Sequence, residues 1–219
     1  MLMNLTLADV FAHPESVTYP VAMPSGETLL LRPLVADDVD ELGVFLSGLS
    51  PQTRHFSIFP SYDRAAALVL CDAINRYDKL RFVVEQPPSG EIVALFEFSF
   101  DIPDGDIQRY ARQGIELKAD TDCRFGPTIA DRYQNQSLGS QVFPHIVEVA
   151  KKFGKTRMIL WGGVLSDNSR AIRFYAKHGF RSVGPFVDYE GLPSLDMMLE
   201  LADYGGKRSL AAPLDAAIQ

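Results

Sequence analysis

Cysteine is nearly absent. Cys71 and Cys123 are the only two in 219 residues, too few and too far apart for a disulfide framework or a thiolate metal site. Histidine adds nothing to that picture, because His13, His55, His145 and His178 fall at no ligand spacing; structural roles, and no metal, are the expectation. No apolar run approaches the roughly 20 residues of a membrane span, and Met1-Leu2-Met3-Asn4-Leu5 lacks the basic start of a secretion signal. The expected setting is cytoplasmic, with no membrane partner. Positive charge is also short: 21 Lys and Arg against 28 Asp and Glu leave a net charge of −7. That balance argues against nucleic acid as a partner and mildly favours cationic ones such as amines. With 47% hydrophobic residues, the chain can bury one good core, while two full domains would be cramped.

Punctuation divides the chain into three parts: an extension over 1–26, a domain over 27–201 and a tail over 202–219. In the extension, Thr6 and Asp9 can cap a short helix before Pro14, and Pro20, Pro24, Ser25 and Gly26 mark a turn. Thr28 to Leu34 reads as a strand, and Asp37 and Asp38 open a helix carrying Val39, Leu42, Phe45 and Leu46. A second helix is expected from Asp63 to Tyr77, with Ala66, Val69, Leu70, Ala73 and Ile74 on its inner side. Leu80–Gln86 and Ile92–Phe100, joined by Pro87-Pro88-Ser89-Gly90, predict a hairpin. Residues 101–121 exceed a tight turn and read as a long, functional or mobile loop. Cys123–Ala130 and Arg157–Val164 are the expected central strands, with a helix from Ser137 to Phe153 between them. That helix keeps Leu138, Val142, Ile146 and Val149 inside and contains Pro144. Phe180–Val187 and Ser194–Leu201 read as a closing hairpin.

Two segments carry chemistry. In Tyr133-Gln134-Asn135-Gln136-Ser137-Leu138-Gly139-Ser140, a strand turns into a helix start. Successive main-chain N–H groups converge there where the helix dipole is positive, a geometry suited to a diphosphate. About thirty residues on, Ser166, Asp167 and Asn168 can each cap a helix on which Ala171, Phe174, Tyr175 and His178 share one face, and Gly179 can end it.

Together these segments resemble the GCN5-related N-acetyltransferase (GNAT) family, whose hallmark is Gln/Arg-x-x-Gly-x-Gly/Ala followed by Asn-x-x-Ala-x-x-x-Tyr-x-x-x-Gly-Phe. The resemblance covers roughly Thr28 to Leu201, and its specific part is Gln134 to Phe180. It implies an α/β fold: a mixed, mostly antiparallel central sheet flanked by helices, with a splay between the two central strands. It implies acetyl-CoA as co-substrate, its pyrophosphate on Gln134, Asn135, Gln136, Ser137, Leu138, Gly139 and Ser140. Its pantetheine would meet free main-chain groups around Thr128, Ile129 and Ala130 and the side chain of Asn168, which can cap the helix as well. Tyr175 would touch the cofactor and act as general acid, giving its proton to the departing thiolate. The implied partner is an amine on a small molecule, a protein lysine or an N-terminus, and a homodimer is compatible with it. The segment from Leu49 to Tyr77 would wall the acceptor site.

Two positions depart from the family pattern. Ser137 holds the middle glycine's place, and would cost roughly 1 kcal/mol or more if the backbone there is left-handed. Arg124 stands where many members carry a glutamate base. Glu97, between Phe96 and Phe98, is then the candidate base, since a buried carboxylate is costly unless it is paired, protonated or facing a wet cavity. A pair with Arg124 is the expected arrangement, structural or substrate-facing. The expected activity is acetyl transfer to a primary amine by direct attack. The alternative is a catalytically silent acyl-CoA-binding or regulatory module, and a dinucleotide-binding domain is disfavoured because no suitable acidic residue follows the turn.

Overall fold

The computed structural model describes residues 4–76 and 79–206; Tyr77 and residues 207–219 of the expected tail lie outside them. In chain order the elements are α1 (Leu7–Ala12), β1 (Tyr19–Ala22), β2 (Thr28–Pro33), α2 (Val39–Ser47), α3 (Pro51–His55), α4 (Arg64–Asp72), β3 (Lys79–Gln86) and β4 (Glu91–Ser99). They continue with α5 (Asp104–Ala111), β5 (Asp122–Ile129), α6 (Leu138–Lys152), β6 (Arg157–Leu160), β7 (Val164–Leu165), α7 (Ser169–Lys177), β8 (Arg181–Val187) and β9 (Pro193–Glu200). One sheet of nine strands runs β1-β2-β3-β4-β5-β6-β9-β7, with β8 on β9. Only β5 and β6 pair in parallel among the described strands. This is the mixed, mostly antiparallel sheet with flanking helices that the sequence predicted. No helix among the described residues is long and apolar enough to cross a membrane.

Residues 6–21 are tied into this body. Thr6 and Asp9 form the capping box that sets α1, and Val10, Val17, Tyr19 and Val21 are buried in the main core. Strand period explains the two faces of the sheet. Phe98 and Phe125 lie on the face covered by α6, where Phe143 is 5.5 Å from Phe125 between ring centroids. Glu97, opposite Arg81 on one side and Gly126 on the other, therefore points to the opposite face.

Several local expectations change. Val69 is 56% exposed, because α4 turns Ala66, Ala67, Leu70 and Cys71 inward and ends at Asp72. Residues 101–121 contain a helix, α5, held by ion pairs of Arg109 with Asp106 (2.7 Å) and Asp196 (2.9 Å) and by the Tyr110 hydroxyl donating to Met197 O (3.0 Å). The strand expected over 157–164 breaks at Gly162 and Gly163, both with positive φ. A Cβ on Gly163 would stand 2.6 Å from Phe186 Cε1 and 3.0 Å from Leu195 O, so only glycine fits where the chain crosses β8 and β9. Pro144 stays inside α6.

Candidate active site

The parallel pairing of β5 and β6 covers only Asp122–Phe125 with Arg157–Leu160. Its last bond runs from Trp161 N to Phe125 O at 2.9 Å. Beyond it β6 turns away at the glycine pair, while β5 continues along β4 as far as Ile129. The two central strands thus splay. Main-chain groups alternate along a strand, so Phe125, Pro127 and Ile129 face the opening and Thr128 and Ala130 face β4. The Ala130 N–H is spent on Val93 O at 2.9 Å, which corrects the expectation that it is free. Proline has no N–H and Ile129 O accepts from Gln134 Nε2 at 2.8 Å. The opening therefore presents the Pro127 carbonyl and the Ile129 N–H, an acceptor and a donor matched to one secondary amide.

A cavity of about 590 Å³ fills the splay and brings together every predicted site residue except Ala130 and Gln136. The turn from Gln134 to Ser140 lies along one end. Asn135 (φ 59°) and Ser137 (φ 70°) are both left-handed, which tightens the turn and swings the first amides of α6 toward the opening. Ser137 is the N-cap of α6, yet its side chain makes no capping bond. The family's glycine is therefore replaced at a position where φ favours glycine. A side chain at Gly139 would be tight, since a Cβ would meet Phe174 Cε2 at 3.0 Å and Ile129 Cδ1 at 3.4 Å. The Gln134 side chain is spent within the protein, with Nε2 donating to Thr53 Oγ1 (2.9 Å) and Ile129 O, and Oε1 accepting from Arg170 Nη1 (2.5 Å). The Gln136 side chain bonds Arg132 O. The Gln134 main-chain N–H also has a partner, Asp131 O at 3.2 Å, so neither glutamine offers its side chain to a ligand.

Asn168 caps α7 by accepting from Ala171 N at 3.1 Å, and it also lines the cavity. Tyr175, two turns on, is buried against Phe174 and Phe180. Its hydroxyl has no hydrogen-bond partner among the described residues, and burial raises its pKa above the ordinary tyrosine value. The group stays protonated near neutrality.

Glu97 is present in the same cavity, but its partner is not the expected one. Arg81 Nε donates to Glu97 Oε1 at 2.7 Å, and Arg81 Nη1 reaches Leu70 O at 3.3 Å. Arg124 sits opposite Ser99, bonds Ser99 Oγ and Asp101 O, and lies over the Trp161 ring at 4.5 Å. The reason is register: Glu97 faces Gly126, two residues along β5 from Arg124. Among the described residues lining the cavity, Glu97 is the one carboxylate.

The sequence reading missed the cations beside the turn. Arg170, Arg173 and Lys177 of α7 line the cavity, and Lys177 Nζ reaches Ser140 Oγ at 3.2 Å. Their three-and-four spacing was the available signal, hidden because attention to the apolar face draws the eye to Phe174 and Tyr175. At the other end, Phe56, Ser57 and Ile58 also line a second cavity of about 230 Å³, rimmed by Tyr189 and Glu190.

Comparison with known proteins agrees with this geometry. The model of the acetyltransferase (GNAT) family matches residues 56–180. Acetyltransferase PA5475 of Pseudomonas aeruginosa is 28% identical over 170 residues, covering 78% of this chain and 83% of that protein. Among solved structures, the GNAT domain of S. lividans PAT superposes with a TM-score of 0.64 at 19% identity, covering 84% of this chain and 97% of its own. The structure of yncA from Salmonella typhimurium with its cofactor acetyl-CoA gives 0.57 at 18% identity, covering 82% and 98%. The splayed sheet, the left-handed turn before α6 and the family match over more than half of the chain make this protein a member of the GNAT acetyltransferase family.

Proposed function

We propose that the chain transfers an acetyl group from acetyl-CoA to a primary amine, on a small molecule or a protein, by direct attack in a ternary complex. One observation carries the reading: the splay, the phosphate-type turn, the unpartnered Tyr175 hydroxyl and the Glu97 carboxylate share one cavity. The residues present fit acetyl-CoA. The amides following Asn135 and the cations of α7 suit its phosphates, and the Pro127 carbonyl with the Ile129 N–H suits an amide of its pantetheine arm.

Acetyl-CoA supplies the activated thioester. The amine nitrogen attacks the thioester carbon, the C–N bond forms, and the C–S bond breaks to leave a thiolate. Tyr175 gives that thiolate its proton. Burial raises Tyr175 and would penalise a bare thiolate beside it in the same sense, so both groups favour their protonated forms there. The ammonium proton is lost to Glu97, which is paired with Arg81 and open to the cavity, or to water. The test is acetyl-CoA-dependent thiol release across a panel of primary amines. Release stimulated by an amine supports the reading, whereas binding of acetyl-CoA without release for any amine would favour the silent module.

A further inference from the structure

A buried hydroxyl joins the acceptor side of the cavity to the phosphate side. Thr53 in α3 is 6% exposed. Its Oγ1 donates to Asp131 Oδ1 at 2.7 Å and accepts from Gln134 Nε2 at 2.9 Å. Both neighbours are themselves fixed. Asp131 accepts from Ser50 N (2.9 Å) and Ser50 Oγ (2.6 Å), and Gln134 is held by Ile129 O and Arg170. Chain order makes Gln134 the first residue of the phosphate turn.

On its other side, Thr53 carries the cavity wall. Ser57 Oγ donates to Thr53 O at 3.0 Å, and the Tyr62 hydroxyl reaches Arg54 O at 2.8 Å. These bonds fold residues 56–60 against the cavity they line. The connection from turn to wall is thus made of side-chain hydrogen bonds across segments about eighty residues apart, with no strand pairing between them. Simple packing would be served as well by valine, which has the same shape. Valine would remove the one hydroxyl that joins Asp131 to Gln134, leaving a half-buried Gln134 N–H without its partner, while the exposed Asp131 carboxylate can turn to water.

We infer that Thr53 is a positioning residue that couples occupation of the phosphate turn to the order of the acceptor wall, residues 56–60. The inference rests on the reading that residues 134–140 hold coenzyme A. A ligand that fixes the turn fixes Gln134. Through Gln134 and Thr53 it restrains the segment against which the acceptor must lie, and the coupling is reciprocal in free energy.

The experiment is hydrogen–deuterium exchange of the full chain with coenzyme A as the probe, in wild type, Thr53→Val and Thr53→Ser. Wild type should show slower exchange in both 134–140 and 56–60 when saturated. Thr53→Val should keep the slowing in the turn and lose it in the wall, and Thr53→Ser, which retains the hydroxyl, should keep both. Should Thr53→Val fail to fold, Thr53→Ala removes the same hydroxyl without touching the turn and carries the same expectation. Wall protection in these variants equal to wild type, or a wild-type wall that ignores the probe while the turn is protected, overturns the coupling. Protection of neither segment overturns the assignment of the turn, and the coupling with it.

Discussion

Arg81 and Glu97 face each other across neighbouring strands, with Arg81 Nε 2.7 Å from Glu97 Oε1, on the cavity face of a sheet whose other face is packed with phenylalanine. The pair answers how a carboxylate survives between Phe96 and Phe98. It is ion-paired, and it lines a cavity large enough for water and substrate. Glu97→Gln leaves Arg81, 7% exposed, without its counter-charge. The expected result is a loss of acyl transfer larger than the loss of acetyl-CoA affinity, together with a destabilisation of about 1–3 kcal/mol. Turnover and calorimetric affinity, measured on the same preparation, separate a proton acceptor from a structural carboxylate; full turnover with a lowered melting temperature assigns Glu97 to structure only.

Ser137 pays for its left-handed backbone. Relief of that strain is worth about 1–2 kcal/mol, and the greater freedom of glycine in the unfolded chain takes back about 0.4–1 kcal/mol. Ser137→Gly should therefore raise stability slightly, by about 0.5–1 kcal/mol in urea unfolding, and leave acetyl-CoA affinity equal or tighter. Ser137→Ala should be close to neutral for stability, since the hydroxyl makes no capping bond. A clear loss of affinity in both variants would show that the hydroxyl is a ligand.

Gly139→Ala tests the other end of the same turn. The added methyl meets Phe174 and Ile129 at 3.0 and 3.4 Å, so the turn must shift or the ring must move. A destabilisation of about 1–3 kcal/mol and weaker acetyl-CoA binding are expected. Unchanged affinity would place the phosphates away from this turn.

His178 supplies a pH dependence. Its ring lies 4.7 Å from both Phe143 and Phe174 between centroids, and burial, with Lys177 beside it, lowers its pKa to about 4. The unfolded chain takes up the proton near pH 6.5, before the folded one does. Stability is thus full above about pH 6.5 and is lost as pH falls toward 4. His178→Leu should flatten the fall in melting temperature over that window; an unaltered slope would exclude His178 as its source.

Much of this was legible because the informative residues act locally. The capping box of Thr6 and Asp9, the Pro-Pro-Ser-Gly hairpin turn, the inner stripe of α6 and the shared face of Ala171, Phe174 and Tyr175 each depend on neighbours within a few residues. Errors came where distant segments decide. The partner of Glu97 depends on the register of three strands, which placed Arg81 beside it and moved Arg124 to Ser99. Helix α5 is held by Asp196 and Met197, far along the chain, so its polar sequence read as loop. Thr53 was invisible as well, because a threonine in a short helix carries no signal until Asp131 and Gln134 are brought to it.

The central claim is that the Tyr175 hydroxyl protonates the departing thiolate, and Tyr175→Phe tests it most directly. The ring stays and one oxygen leaves. That hydroxyl has no partner among the described residues, so melting temperature and acetyl-CoA affinity should stay near wild type while turnover falls about 10²–10⁴-fold. Wild-type turnover with chemistry rate-limiting, or a lowered melting temperature with unchanged turnover, would contradict the account.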